Sequence, residues 1–212
     1  MNDALRARLI KTTLYSVLAV LVGVLVALII RSNIETVQIQ DQGMREEPVP
    51  VAGIPIGGPF ELIDHNKNTV TEKDFADTHK LMYFGFTYCP AICPTELQKM
   101  SKVLEIIGQD SEKIQPLFVS VDPERDTPEV MKDYVSLFHP DFIGLTGTQE
   151  QIDAIKETYR VYSRKVQTDE FNDYTVDHSS YIYFMSPDDK LLGIYRIKDS
   201  AEAVAKDILR LL

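Results

Sequence analysis

The sequence predicts a layered α/β domain with some parallel strands, preceded by one N-terminal transmembrane helix. Three observations predict it. From about residue 57 onward, short apolar strand-like segments alternate with helix-like ones. The last of these segments are a neighbouring strand pair and a closing amphipathic helix. Finally, residues 12–30 form a single long apolar run without a charge.

That run, TTLYSVLAVLVGVLVALII, has 19 residues and reaches about 28 Å as a helix, close to the hydrocarbon thickness of a bilayer. A buried core helix would rarely lack a polar stripe. A cleavable signal peptide has a shorter apolar region and a small-residue cleavage site, whereas this run ends ALIIRSN. The reading is an uncleaved anchor. Arg6, Arg8 and Lys11 precede it, and Arg31, Glu35 and Asp41 follow. The positive-inside rule then puts residues 1–11 in the cytoplasm and the rest of the chain outside. The expected location is a bacterial inner membrane, single-pass, with the C-terminal domain in the periplasm. No Arg- and Ser-rich transit segment precedes the span, which weighs against a mitochondrial inner membrane. Residues 31–56, with Pro48, Pro50 and Pro55, read as a tether. The domain is expected over 57–212.

Within it, Phe60–Asp64 and Thr69–Val70 flank a turn. Leu81–Thr87 and Gln115–Val121 suit buried strands. Thr95–Ile107 places Leu97, Met100, Leu104 and Ile107 on one helical face. Asp126-Thr127-Pro128 is a helix start, with a capping residue and a proline in the first turn. Phe142–Leu145 is a short strand, and Glu150–Tyr159 a helix with Ile152, Ile155 and Tyr159 inward. Val161–Val166 and Tyr174–Val176 flank an acidic, polar loop and form a hairpin. Ser179–Met185 and Leu191–Arg196 are strands joined by a turn, and Ala201–Leu212 closes the chain as a helix. This order, with a Cys motif directly after a central strand, resembles the thioredoxin fold carrying an inserted hairpin.

Composition bounds the function. With 44% hydrophobic residues the chain is globular in character. Its formal net charge is −10, and the basic N-terminal segment makes the remainder more acidic still. Such a domain repels phosphate backbones, so nucleic acid is not an expected partner. The acidity reads first as a solvated surface and second as a docking face for a basic partner.

The chain has two cysteines, Cys89 and Cys93. Thiols this close do not staple a domain; they mark a local site for redox chemistry or metal binding. They lie in TYCPAICPTE, where the strand ends near Thr87 and the helix begins near Cys93 or Pro94. A helix N-terminus favours thiolates, which are both nucleophiles and soft metal ligands. Three residues separate the sulfurs, against two in thioredoxin-type oxidoreductases. Two thiolates with an imidazole suit Cu(I), or Cu(II) with an added oxygen ligand, whereas zinc normally takes a fourth ligand. Of the four histidines, His65, His79 and His139 read as surface residues. His178 directly precedes the strand Tyr181–Met185, and in a thioredoxin-like order that loop faces the Cys motif. His178 is therefore the expected third ligand. The loop Asp122–Asp126 has two readings: residues that orient His178 or guide copper entry, or plain turn chemistry with a helix cap from Asp126 or Thr127.

These residues carry a resemblance. FTYCPAICPTEL resembles the T-x-C-P-x-x-C-P signature of the Sco/SenC proteins, the copper chaperones of cytochrome c oxidase assembly. VSVDPERDTPEVMKDY, VDHSSYIYFMSP and GGPFELIDHNKNTVTEKDF are similar to three further blocks of that family. The resemblance implies a thioredoxin-like domain holding one copper ion on Cys89, Cys93 and His178. It also implies delivery to the binuclear copper site of subunit II of cytochrome c oxidase, with another periplasmic copper chaperone as a candidate donor. A thiol–disulfide oxidoreductase is the rival: Cys89 would attack a substrate disulfide and Cys93 would resolve the intermediate. A peroxidase would want an Arg beside the thiolate, and the sequence alone places none there.

Overall fold

The computed structural model describes residues 15, 20–26, 28, 55–168 and 173–212. Most of the expected span lies outside the described residues; those described within it are helical and exposed. Among the described residues, no helix is long and apolar enough to cross a membrane. The chain divides into two compact units, Met1–Glu47 and Pro48–Leu212. Both cysteines and all four histidines belong to the second unit.

The strands of that unit are β1 (Glu61–Asp64), β2 (Thr69–Thr71), β3 (His79–Gly85), β4 (Ile114–Ser120), β5 (Ile143–Thr146), β6 (Ser163–Thr168), β7 (Asp173–His178), β8 (Tyr181–Met185) and β9 (Leu191–Arg196). Its α-helices are α1 (Ile92–Ile107), α2 (Pro128–Val135), α3 (Gln149–Thr158) and α4 (Ala201–Leu211). Seven strands form one mixed sheet in the order β2-β1-β5-β4-β3-β8-β9. The pairs β3–β4 and β4–β5 are parallel; β1–β2, β1–β5, β3–β8 and β8–β9 are antiparallel. The expected alternation and the late antiparallel pair are both present.

β3 is buried from Lys80 through Gly85, as a central strand covered on both faces must be. It begins two residues before the expected Leu81 and takes in Lys80. That lysine is fully buried because Asp189 lies 2.8 Å from its ammonium and the Pro187 carbonyl accepts from it at 3.3 Å. In α1 the buried side chains recur at three- and four-residue spacing: Cys93, Leu97, Met100, Val103, Leu104 and Ile107. The other helix starts follow capping chemistry. Thr127, Thr148 and Ser200 accept from Val130, Gln151 and Ala203 N–H groups, and Pro128 opens α2.

The expected hairpin is present but is not part of the main sheet. Among the described residues, β6 and β7 pair only with each other, in register from Ser163 opposite His178 to Thr168 opposite Asp173. His178 therefore ends a strand instead of sitting in a free loop. The inward-facing residues of β7 alternate as Tyr174, Val176 and His178.

Candidate metal centre

The site forms where β3 ends, α1 begins and β7 ends. Helix α1 starts at Ile92, slightly before the expected point, so Cys93 lies in its first turn and Pro94 follows where no N–H is needed. Ala91 at the N-cap has no side chain that can cap. Cys89 takes that role: its sulfur accepts from the Cys93 backbone N–H at 3.4 Å. A lone sulfur at a helix N-terminus is the place where a negative charge is best supported.

Cys93 is fully buried and Cys89 half-buried. Cys93 Sγ lies 3.4 Å from His178 Nε2. The two sulfurs and one imidazole nitrogen all fall within 4.8 Å of one another. The expected trio is thus brought together. His65, His79 and His139 stand apart from it, and each is half-buried instead of lying on open surface. His65 Nδ1 accepts from the Gly144 N–H at 2.9 Å. His79 stacks on Phe184 with centroids 5.3 Å apart. His139 Nδ1 accepts from the Asp141 N–H at 3.3 Å.

The His178 ring is oriented by its other nitrogen. Nδ1 lies 3.0 Å from the Ser179 carbonyl. A carbonyl only accepts, so Nδ1 carries a proton, and this bond turns Nε2 toward the sulfurs. Phe86 and Tyr83 meet the ring edge-on, at centroid separations of 5.7 and 6.1 Å.

The cysteines differ in charge. The hydrogen bond from the Cys93 side chain draws the Cys89 pKa down to about 3, against the upward pull of burial; His178 and the Cys93 N–H lower it further. The same bond and burial push Cys93 far upward. In the metal-free protein the charge therefore lies on Cys89, and buried Cys93 keeps its proton. A metal ion that displaces that proton meets two sulfurs and an imidazole nitrogen, a soft donor set suited to Cu(I).

Two supporting residues, Gly85 and Tyr83, were missed by reading the sequence. A Cβ on Gly85 would come 2.8 Å from Cys93 Sγ and 3.0 Å from the Tyr83 and Phe118 rings, so only glycine lets the helix start this close. The signal was present, because an isolated glycine inside a strand often marks close approach. The Tyr83 hydroxyl points at Cys93 Sγ from 4.0 Å. Of the two cap candidates, Thr127 caps α2 and Asp126 is fully buried. Asp126 accepts from the Thr87 and Ser120 hydroxyls, each at 2.6 Å, and so braces the strand end that leads to Cys89. Burial raises its pKa.

The fold and the site together define a thioredoxin-like domain with a Cys-Cys-His centre at the N-terminus of its first helix. The SCO1/SenC family model matches residues 50–212, and the chain belongs to that family. A SCO2-like protein of Rickettsia prowazekii is 41% identical over 152 residues, 71% of this chain and 74% of that one. The human mitochondrial SCO1 homolog is 44% identical over 142 residues, 66% of this chain and 47% of the human protein. Among solved structures, Bradyrhizobium japonicum ScoI with copper bound is 44% identical at a TM-score of 0.68, covering 74% of this chain and 99% of that one. Yeast Sco1 with copper bound is 38% identical at a TM-score of 0.68, covering 73% and 87%.

Proposed function

We propose that this chain is a membrane-anchored metallochaperone that carries copper on Cys89, Cys93 and His178. Its acceptor is the binuclear copper site of cytochrome c oxidase subunit II. The observation that carries this reading is the convergence of two sulfurs and an oriented imidazole nitrogen within 4.8 Å. The copper-bound relatives support the choice of metal. Copper is cargo here. A half-exposed Cys89 lets an acceptor thiolate enter, and ligand exchange then moves the ion without releasing it to water. The 19-residue uncharged run and its basic N-terminal flank support an anchor with the domain in the periplasm, where a second copper chaperone would be the donor. On this reading residues 1–11 are cytoplasmic, 12–30 the span, 31–56 the tether and 57–212 the copper-binding domain.

The test is copper titration of the reduced full chain in detergent micelles, beside His178→Ala. The expected result is one tightly bound equivalent, a sulfur-to-copper absorption band in the Cu(II) form, and clear weakening in the variant. Weak binding indifferent to His178 would overturn the reading.

A second reading is favoured by one observation, the pairing of a half-exposed Cys89 that accepts a helix N–H with a fully buried Cys93. That asymmetry suits a thiol–disulfide reductase acting on the cysteines of the same acceptor. It predicts reductase activity that survives His178→Ala and is lost in Cys89→Ala.

A further inference from the structure

Among the described residues, the hairpin that carries His178 has no ladder to the main sheet. Its position rests on its neck, where the Ser179 N–H donates to the Tyr162 carbonyl at 2.9 Å, and on the inner face of β7. At the His178 end that face offers the Cys93 contact at 3.4 Å and two edge-on rings. At the Tyr174 end it meets a polar cluster. The two residues are four apart on one strand, so their side chains leave the same face about 13 Å from each other.

The cluster is a closed ring. Fully buried Asp122 accepts from Arg125 Nε at 2.5 Å and from the Tyr174 hydroxyl at 2.8 Å. Arg125 donates a second bond to the Tyr174 carbonyl at 2.9 Å. Its guanidinium carbon stands 3.9 Å from the Tyr174 ring centroid, 4.9 Å from that of Tyr88 and 5.8 Å from that of Phe86. Tyr88 precedes Cys89, and Phe86 touches the His178 ring. One guanidinium therefore grips both segments that present ligands, the cysteine loop and the hairpin. A planar cation suits this work because it can donate in its plane and stack on its faces at once. Lys165 on β6 adds an ion pair to Glu124 at 2.6 Å.

We infer that Asp122, Arg125 and Tyr174 form a clasp that holds β7 against the domain, making Arg125 a positioning residue for His178. The inference rests on the copper-carrier reading of the site. Copper passed on by ligand exchange must leave its ligands one at a time, and the clasp decides how readily the imidazole swings away. A closed clasp retains the ion; a loosened one releases it faster.

The test uses the full chain in micelles as unmodified protein, Arg125→Gln, Tyr174→Phe, His178→Ala and Arg125→Gln/His178→Ala. Tyr174→Phe keeps the ring and loses only the hydroxyl bond, so it reports even if Arg125→Gln folds poorly. Two readouts are taken: backbone hydrogen exchange of residues 163–178 in the copper-free chain, and the rate at which a competing chelator removes Cu(I). The clasp predicts faster hairpin exchange in both single clasp variants. It also predicts copper release about ten- to a hundredfold faster in Arg125→Gln, as for loss of groups that orient a metal ligand. Once His178 is gone, the Arg125 change should alter release by less than about twofold, since its effect runs through the imidazole. Unchanged exchange in both variants overturns the clasp. Equal acceleration with and without His178 overturns the positioning role. If the unmodified chain takes up no copper, the carrier reading and the role of Arg125 in it fall together, while hydrogen exchange still decides whether the clasp exists.

Discussion

A thiol four residues from another takes a different protonation state because the Cys93 thiol donates to the Cys89 sulfur, which also caps the helix, while Cys93 itself is sealed beneath it. Cys89 accepts the helix N–H and stays charged; Cys93 is buried and stays protonated. Alkylation of the reduced, copper-free chain should therefore be one-sided. Iodoacetamide is expected to label Cys89 from neutral pH down to about 3, because a lowered pKa loses its thiolate only as pH falls through that value. Cys93 should stay unlabelled until the chain unfolds. Mass spectrometry of digests across the pH range checks this, and equal labelling of both thiols would contradict it. Gly85 supports the arrangement from below. Gly85→Ala puts a methyl group 2.8 Å from Cys93 Sγ, in a place with no room to yield. The expected cost is about 1–3 kcal/mol in urea unfolding, as for other overpacked cores, with a weakened copper site. Both cysteines and His178 were legible in the sequence from residue type and neighbours. Gly85 was legible only as a glycine out of place in a strand, because the atom it avoids belongs to a different element.

Elements here are tied by polar groups whose partners lie far along the chain. Asp126 joins the start of α2 to the strand end before Cys89 through Thr87 and Ser120. Burial lifts its pKa in the folded chain above that of the unfolded one. The folded state then binds the proton more tightly, so this group's contribution to stability is fullest at low pH and declines as pH rises through the folded pKa. Asp126→Asn cannot ionise and loses that slope. It is expected to be less stable by about 1–3 kcal/mol near pH 4, with the gap narrowing toward pH 8. Urea midpoints across that range check it, and a gap that widens with pH would refute the sign. Strands and helices were largely legible from periodicity and caps: β4, α3, β8, β9 and α4 fall within two residues of expectation at each end. The separate sheet of β6 and β7 was not legible, because alternation says that a strand has a face and not which neighbour it bonds. For the same reason Asp122–Asp126 kept two readings, a support for His178 or plain turn chemistry, and the grip of Arg125 on Tyr174 and Tyr88 could not be foreseen.

For the whole molecule, binding that prefers the folded state adds to stability by mass action. At free Cu(I) about a hundred times the dissociation constant, the gain is about 2.7 kcal/mol. Melting of the reduced full chain in a Cu(I) buffer, followed by circular dichroism, should rise accordingly. The rise should be smaller for His178→Ala and absent for Cys89→Ala; an equal rise in all three would place the copper elsewhere. Layered α/β architecture was legible from element order, but the position of β1 between β2 and β5 was not, since antiparallel insertion leaves no mark in local sequence. The borders of that sheet have a consequence of their own. One border is β2, only three residues long; the other is β9, which lies between Lys190 and Lys198 and ends in Arg196. The ladder joining β8 to β9 also shifts register between Phe184 and Met185. A foreign strand seeking to add itself would find too little length on one side and a bent, cationic margin on the other. These borders give the domain little surface on which its own copies could template aggregation.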